Sequence, residues 1–297
     1  MDYETFKECV KERIDKKVKK GGRVVINHIL KNNGMELDGL VIMEKDSNVA
    51  PTIYINSYYE ELKMGRSIDS IVDELFEIHK KNRLGFRFNP DLFNDYNNIK
   101  KSIVYKVINY EKNKKLLKTI PHKRMLDLAV VYYCLIERSN GGNATALIHN
   151  EHIKTWKVSE ETLHKDAVEN TPELLQSCIK PMSQILNKMA KEMELEGIQP
   201  LDMEDDMYVL TNIARINGAA CMLYEKVLEE FADYVNSDLY ILPSSIHEVI
   251  ILPKLESYDK ELLVSMVREV NSDGVCMDEI LSDNVYEYNR KDKMITL

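Results

Sequence analysis

The sequence YILPSSIHEVIILP, which runs from Tyr240 to Pro253, contains two strand patterns separated by a turn. Pro243 has no N–H group to donate to a neighbouring strand, and it disfavours a helical conformation at Leu242. A strand therefore ends there, and the apolar run that follows predicts a second one. The predicted elements are a strand at Asp238–Leu242, a turn at Pro243 to Ser245, and a strand at Ile246–Leu252.

The same stretch contains a serine, a histidine and a glutamate that are candidates for catalysis. If the second strand begins at Ser245, then Ser245 and His247 share one face and Glu248 points to the other. Their Cβ atoms are then about 7 Å apart, too far for a direct hydrogen bond without convergent rotamers. Two interpretations stay open: a hydrogen-bonded structural turn, or a hydrolase or transferase site at Ser245 and His247 that receives Glu248 or Glu151 from elsewhere.

The N-terminal part of the chain combines helix and strand patterns. Apolar residues at a four-residue spacing predict a helix from Tyr3 to about Val18. The Asn-Asn-Gly sequence at 32–34 tolerates the positive φ angles that a hairpin turn requires. Strands are predicted at Arg23–Leu30, Met35–Met43 and Thr52–Ile55, followed by a helix that Ser67 caps and that covers the sheet.

The remainder of the chain has the same mixed character. The apolar run Met125–Ile136 predicts a central strand, and Ser159 caps a helix that should end before Pro172. Pro181 opens a helix with Met182, Ile185, Leu186, Met189 and Met193 on one face. Because no βαβ rhythm occurs, we expect an α+β protein with mixed or mainly antiparallel sheets, helices packed on them, and two lobes at residues 1–95 and 96–297.

Composition indicates a soluble, folded protein. The longest apolar run, LAVVYYCLI at Leu128–Ile136, is far shorter than the roughly 20 residues of a membrane helix. The N-terminus is charged within its first four residues and has no apolar segment typical of a secretory signal. Five dispersed cysteines without C-x-x-C spacing argue against a disulfide framework or a zinc ribbon. We expect a cytoplasmic protein with reduced thiols and no membrane contact.

Charge is unevenly distributed along a chain whose net charge is −9. The stretch from Lys100 to Arg124 has nine basic residues and one acidic residue, Glu111. Such a run indicates either a solvated face or an RNA-contacting surface, and the net negative charge makes nucleic acid an unlikely partner. The segment Cys178–Asp206, which joins a Met-rich helix to an acidic run, is expected to contain the most mobile part of the chain.

The sequence lacks the common catalytic fingerprints. It has no G-x-G-x-x-G, phosphate-binding loop, G-x-S-x-G or H-E-x-x-H motif, so we expect no cofactor. His149, Glu151 and His152 in HNEH are candidate metal ligands, and the alternative is a polar helix N-terminus. The fourteen methionines and sixteen tyrosines fit either a ligand groove or ordinary packing at the rims of helices and sheets.

Several segments together resemble a known family. They are NNGMELDGL, APTIYINSYYE, PHKRMLDLAVVYYCL, the segment around Trp156, MYVLTN with NGAACMLY, and YILPSSIHEVIILP with ILSDNVY. The chain resembles, over nearly its whole length, the family from clostridia and related Firmicutes labelled domain of unknown function 5688. It departs from the pattern at Lys16–Arg23 and Cys178–Asp206. The resemblance implies a grouping and no activity.

Taken together, the sequence favours a binding or regulatory protein of the cytoplasm. Its partner would be another protein or a small molecule. The alternatives are a hydrolase or transferase near Ser245 and His247, and an RNA-contacting protein that uses residues 100–124.

Overall fold

The chain is α+β, as the sequence predicts, with helices packed on mostly antiparallel sheets. A computed structural model describes residues 1–45, 50–82, 90–139, 142–192 and 206–297. The chain divides into two compact units: Met1–Asn94 with Ile136–Ala144, and Asp95–Leu135 with Thr145–Leu297. That two lobes meet at residue 95, at the end of 1–95 and the start of 96–297, stays a prediction.

The first unit packs helices against a three-stranded antiparallel sheet in the order β1-β2-β3. Its elements are α1 (Tyr3–Asp15), β1 (Arg23–Leu30), β2 (Glu36–Met43), β3 (Thr52–Tyr54), α2 (Asn56–Lys63) and α3 (Ile68–Lys81). The predicted turn between β1 and β2 is present, and Asn33 adopts the expected positive φ of 58°. Ser67 caps α3 as predicted, since its hydroxyl accepts a hydrogen bond from the Ser70 N–H.

The apolar faces of these elements form one closed core. The α1 stripe of Phe6, Val10 and Ile14 is fully buried, and it packs with residues of the sheet and of α3. The predicted strands and both predicted helices are confirmed. Helix α2 was not predicted, because its own sequence NSYYEELK contains two tyrosines, a residue type common in strands.

Among its described residues, the second unit contains a six-stranded sheet and a four-stranded sheet, the latter without the part of β6 and β7 at residues 136–144. In the smaller sheet β6 pairs with β4, β5 and β7, so the predicted central strand is confirmed from Leu128 onward. The prediction was wrong at its start, because Met125 ends β5 and pairs with Leu128 across a turn in which Leu126 has a φ of 52°. The strands of this sheet and the helices between and after them follow in chain order. They are α4 (Tyr96–Ile99), β4 (Ile103–Asn109), α5 (Lys114–Leu117), β5 (His122–Met125), β6 (Leu128–Ser139), β7 (Gly142–Leu147), α6 (Asn150–Trp156) and α7 (Glu160–Leu174).

The larger sheet has the order β13-β12-β10-β11-β9-β8. Its pairings are antiparallel, and they include the predicted hairpin, in which Leu242 lies opposite Ile250. The elements are β8 (Ser177–Pro181), α8 (Met182–Glu192), β9 (Tyr208–Asn212), α9 (Val227–Val235), β10 (Leu239–Leu242), β11 (Val249–Pro253), α10 (Lys260–Asp273), β12 (Tyr286–Asn289) and β13 (Met294–Thr296).

Two other local predictions were wrong, and one strand was missed. Helix α7 continues through Pro172 to Leu174, because proline close to a helix C-terminus disrupts only the last turn. Residues Ser177–Pro181 form a strand that was not predicted, held by its pairing with β9. The second strand of the hairpin begins at Val249 and not at Ile246.

Some expectations concern residues outside the described ranges. Residues 193–205 of the segment expected to be mobile are among them. No helix in the described part of the chain is long and apolar enough to cross a membrane. All five cysteines fall within the described ranges, where each is a free thiol.

Candidate functional site

The connection between β10 and β11 is anchored to the segment that precedes β12. Ser245 forms an isolated bridge with Ile280, and the Ile246 N–H donates to the Glu279 carbonyl at 2.8 Å. Because Ser245 and His247 lie in this connection, the strand alternation that would have placed them on one face does not apply.

Ser245 and His247 contact each other through the backbone. The Ser245 hydroxyl accepts a hydrogen bond from the His247 N–H at 3.0 Å. The imidazole Nδ1 lies 3.3 Å from the backbone N–H of Asn217, so it acts as an acceptor, and Nε2 then carries the proton and faces Glu279 at 3.5 Å. An imidazole with this tautomer has no basic nitrogen available for the serine hydroxyl.

Backbone packing around His247 supports a structural role. The Thr211 hydroxyl donates to the His247 carbonyl at 2.8 Å. Gly218 approaches so closely that a Cβ atom there would lie 2.5 Å from the same carbonyl oxygen. The chain can take this path only with glycine at 218. The hydrolase or transferase alternative stays a prediction, and this geometry does not favour it.

The HNEH segment forms the start of helix α6. The His149 N–H donates to His152 Nδ1 at 3.0 Å, which uses one ring nitrogen of His152 as a helix cap. The His152 ring stacks on Trp156 with centroids 5.4 Å apart. Burial, and then the nearby His149, lower the pKa of His152. Within the described residues, no group of three His, Cys, Asp or Glu side chains is arranged to hold a metal ion. This applies to His149, Glu151 and His152 as well.

The basic stretch from Lys100 to Arg124 is distributed over several elements. Lys106 pairs through β4 with Val131, and Lys123 pairs through β5 with the adjacent residue Val130. Directly paired residues share a face and adjacent residues alternate, so Lys106 and Lys123 point to opposite faces of the sheet. The stretch therefore does not form one continuous basic surface.

The second unit has a cleft of about 540 Å³, which we call the α8 cleft. Its apolar wall is the face of α8 that carries Met182, Ile185, Leu186 and Met189, a spacing of i, i+3, i+4 and i+7. Val209 of β9 and Ile250 of β11 contribute from the sheet, and Val270 of α10 contributes from a second helix. Leu186 and Met189 remain 40% and 53% exposed.

Polar side chains also line this cleft. They are Lys180 at the edge strand β8, Arg215 in the loop after β9, Ser245 and Glu248 in the hairpin connection, and Thr211 of β9. An adjoining groove shares Lys180 and Arg215 and adds Lys188 and Lys191. Basic groups thus outnumber acidic ones among the residues that line the two depressions.

The loop that presents Arg215 is held by a buried asparagine. Asn212 donates from its side-chain amide to the Ile216 carbonyl at 2.8 Å, and its side-chain oxygen accepts from the Ile216 N–H at 3.3 Å. These bonds satisfy a polar side chain that is 1% exposed, and they fix the turn in which Arg215 adopts a φ of 54°. The fold therefore fixes the backbone at Arg215, from which the side chain reaches the lining of the cleft.

Glu248 is the carboxylate of the α8 cleft. Burial raises the pKa of Glu248, His247 and Arg215 oppose that shift, and Glu279 adds to it. Part of the side chain remains exposed to solvent. The cleft therefore combines an apolar wall with a small set of charged groups, which is typical of ligand sites.

Sequence reasoning found parts of this cleft and missed how they combine. The apolar face of α8 was recognised, and Ser245 and Glu248 were noted as candidates for a different reason. Arg215 and Lys180 were not singled out, because a lone basic residue in a loop or at a strand end gives no sequence signal. The high methionine and tyrosine content was the sequence signal that pointed to a ligand groove, and two of the methionines line the cleft.

The first unit contains a separate polar cluster around Asp38. Its carboxylate lies 3.2 Å from His28 Nδ1 and 3.5 Å from Lys7 Nζ, and the side chain is almost fully buried. Burial alone would raise the pKa of Asp38, but the neighbouring Tyr3 hydroxyl, His28 and Lys7 outweigh burial and lower it. The second ring nitrogen of His28 lies 3.3 Å from Glu36. The Asp38 carboxylate thus has basic partners on two sides, as expected of a structural cluster.

A protein-family model described as "Family of unknown function (DUF5688)" matches residues 3–290 of the chain. No curated protein and no solved structure matches this chain.

Proposed function

We propose that this chain, which belongs to the DUF5688 family of unknown function, is a binding protein for a small amphipathic anion held in the α8 cleft. The ligand would place an apolar body against α8 and an anionic group near Arg215 and Lys180. The proposal makes the broader expectation of a binding or regulatory protein specific.

One observation carries the proposal: the whole apolar face of α8 lines an open cleft. An amphipathic helix normally buries such a face in a core, because exposed apolar surface costs about 25 cal/mol per Å². Leu186 and Met189 leave large apolar surfaces exposed beside Ile185 and Met182. A ligand that covers them would gain this free energy on binding.

The size and chemistry of the cleft support a small molecule. Its volume of about 540 Å³ lies within the roughly 300–1,000 Å³ typical of small-molecule sites. Methionine side chains adapt their shape to an apolar ligand, and two line this wall. Arg215 offers planar donors that suit a carboxylate or a phosphate.

Calorimetric titration with dodecanoate tests the proposal, with dodecyltrimethylammonium as the probe of opposite charge. We expect saturable binding of dodecanoate with one site per chain and much weaker binding of the cation. Arg215→Gln and Leu186→Gln should each weaken dodecanoate binding about tenfold, which corresponds to about 1.4 kcal/mol. Leu262→Gln replaces an exposed leucine of α10 that does not line the cleft, and it should leave the affinity unchanged.

Two results would contradict the proposal. Equal affinity for the two probes would remove the role of the basic groups. An unchanged affinity of the Leu186→Gln variant would show that dodecanoate binds elsewhere.

A further inference from the structure

Helix α10 presents apolar side chains on two faces. Leu263 and Val267 lie in the core of the second unit, together with Tyr240 and Leu252 of the sheet. Leu262, Met266 and Val270 lie on the outer face and are 61%, 40% and 50% exposed. Their i, i+4, i+8 spacing makes a continuous stripe about 12 Å long, which we call the α10 stripe.

Acidic residues border this stripe. Glu269 lies three residues after Met266, and Asp273 lies three residues after Val270, so both are on the stripe's own face of the helix. Both are exposed. An apolar stripe with carboxylates along it is complementary to an amphipathic helix that carries lysine or arginine beside its apolar residues.

We propose that the α10 stripe is a docking surface for a basic amphipathic helix of a partner protein. The apolar residues of that helix would cover Leu262 and Met266, and its basic residues would pair with Glu269 and Asp273. Methionine at the centre of the stripe suits such an interface because its flexible side chain adapts to the partner. The surface is distinct from the α8 cleft except at Val270, which belongs to both.

Fluorescence anisotropy with two labelled fourteen-residue peptides tests this inference. One peptide has leucines at i, i+3, i+4 and i+7 positions with lysines elsewhere, and the other has glutamates in place of the lysines. We expect saturable binding of the Leu/Lys peptide and at least tenfold weaker binding of the Leu/Glu peptide. Exchanging both carboxylates in a Glu269→Lys, Asp273→Lys variant should reverse this preference.

Leu262→Asp separates docking from general attraction between opposite charges. The substitution adds a negative charge, which by itself would strengthen binding of a basic peptide, so a loss of at least tenfold must come from the lost apolar contact. Tyr234→Asp is the matched control, because Tyr234 is 78% exposed on α9 and the variant has the same net charge. It should bind the peptide at least as well as the unmodified chain.

The inference would be overturned if the Leu262→Asp variant bound the Leu/Lys peptide as tightly as the Tyr234→Asp variant did. It would also be overturned if the unmodified chain gave no saturable binding. Leu186→Gln, which alters the α8 cleft, should leave peptide affinity unchanged. Failure at the stripe is thus distinguishable from failure at the cleft.

Discussion

Helices α3 and α8 have the same kind of sequence and different surroundings. Each is amphipathic, with aliphatic or methionine residues on one face and polar residues on the other. In α3 the apolar residues Ile71, Val72 and Leu75 are buried in the core of the first unit. In α8 the corresponding residues Leu186 and Met189 stand exposed at the wall of a cleft. Amphipathic periodicity predicts a helix and its apolar face, but not what that face contacts.

The difference separates folding free energy from binding free energy. The apolar face of α3 is removed from water when the first unit folds, and its stabilisation is used entirely in folding. The apolar face of α8 keeps part of its surface in water. That part can stabilise only a complex. Substitutions in the apolar face of α3 should therefore lower stability, and substitutions in that of α8 should weaken ligand binding.

The largest expected effect comes from a matched pair of substitutions in these two helices. Leu75→Ala removes a side chain with no exposed surface and leaves a cavity, so it should lower the free energy of unfolding by about 2–5 kcal/mol. Leu186→Ala should cost less than about 1 kcal/mol because water already reaches that side chain. Urea unfolding followed by far-UV circular dichroism measures both. Equal costs would mean that the α8 face is packed in solution, which would end the comparison.

The second prediction concerns the contribution of Asp127 to the stability of the second unit. Asp127 accepts hydrogen bonds from Ser282 Oγ at 2.6 Å, Asn284 Nδ2 at 3.0 Å and Tyr286 Oη at 2.6 Å. Asp127→Ala leaves three donors without this acceptor, and we expect a loss of about 2–4 kcal/mol. The single tryptophan, Trp156, lies in the second unit and its fluorescence reports this unfolding.

Tyr286→Phe removes one of the three donors and serves as the graded control for Asp127→Ala. It should cost about 1 kcal/mol. If Asp127→Ala cost less than Leu186→Ala, the stability of the second unit would depend on its cleft, contrary to the comparison with α3.

A third prediction concerns the polar cluster of the first unit. Because the pKa of Asp38 is lowered in the folded state, its carboxylate stabilises the fold above the ordinary pKa of an aspartate, and the contribution disappears as the pH falls through the lowered value. Asp38→Asn should therefore cost about 1–2 kcal/mol at pH 7 and progressively less in acid. Urea unfolding at pH 7 and near pH 3 measures the difference.

Glu36→Gln is the control for Asp38→Asn, because Glu36 contacts the same imidazole from an exposed position. It should change stability by less than about 0.5 kcal/mol. A pH-independent cost of Asp38→Asn would show that the loss is steric and unrelated to the charge.

The sequence was sufficient to predict most elements of the fold. The first sheet, the central strand and the hairpin follow from local patterns, since proline, glycine and alternating apolar residues restrict the backbone where they occur. The edge strand β8 could not be predicted in this way. Its sequence SCIKP gains strand structure only from pairing with β9, about thirty residues later in the chain.

The candidate site was less predictable than the fold. Ser245 and Glu248 attracted attention through their proximity in sequence, and the structure places both at the α8 cleft. The position of Arg215 depends on the buried Asn212, and that of Lys180 depends on the edge of a sheet. Such placement arises from tertiary contacts between distant residues, and no spacing rule in one sequence describes it.

The smallest expected effect comes from a substitution of Glu248, the carboxylate of the α8 cleft. Burial raises the pKa of Glu248, so the folded chain holds a proton more tightly than the unfolded chain. Stability must then fall as the pH rises from the ordinary glutamate pKa through the raised value, because the ionised carboxylate is better solvated in the unfolded state. Glu248→Gln should remove this loss. The gain at pH 7 should stay well below about 1 kcal/mol, since solvent screens a partly exposed group.

The same substitution links stability to the proposed ligand. Glu248→Gln removes a negative charge beside Arg215, so the variant should bind dodecanoate more tightly than the unmodified chain at pH 7. The two affinities should converge as the pH approaches the value at which Glu248 is protonated, because both side chains are then neutral. Calorimetric titrations at pH 7 and at lower pH provide the measurement, with dodecanesulfonate, which stays ionised in acid, as the anion and Glu256→Gln, outside the lining of the cleft, as the control for net charge. If Glu248→Gln weakened dodecanoate binding, the Glu248 side chain would help to hold the anion, and the proposed opposition between its charge and the ligand would be wrong.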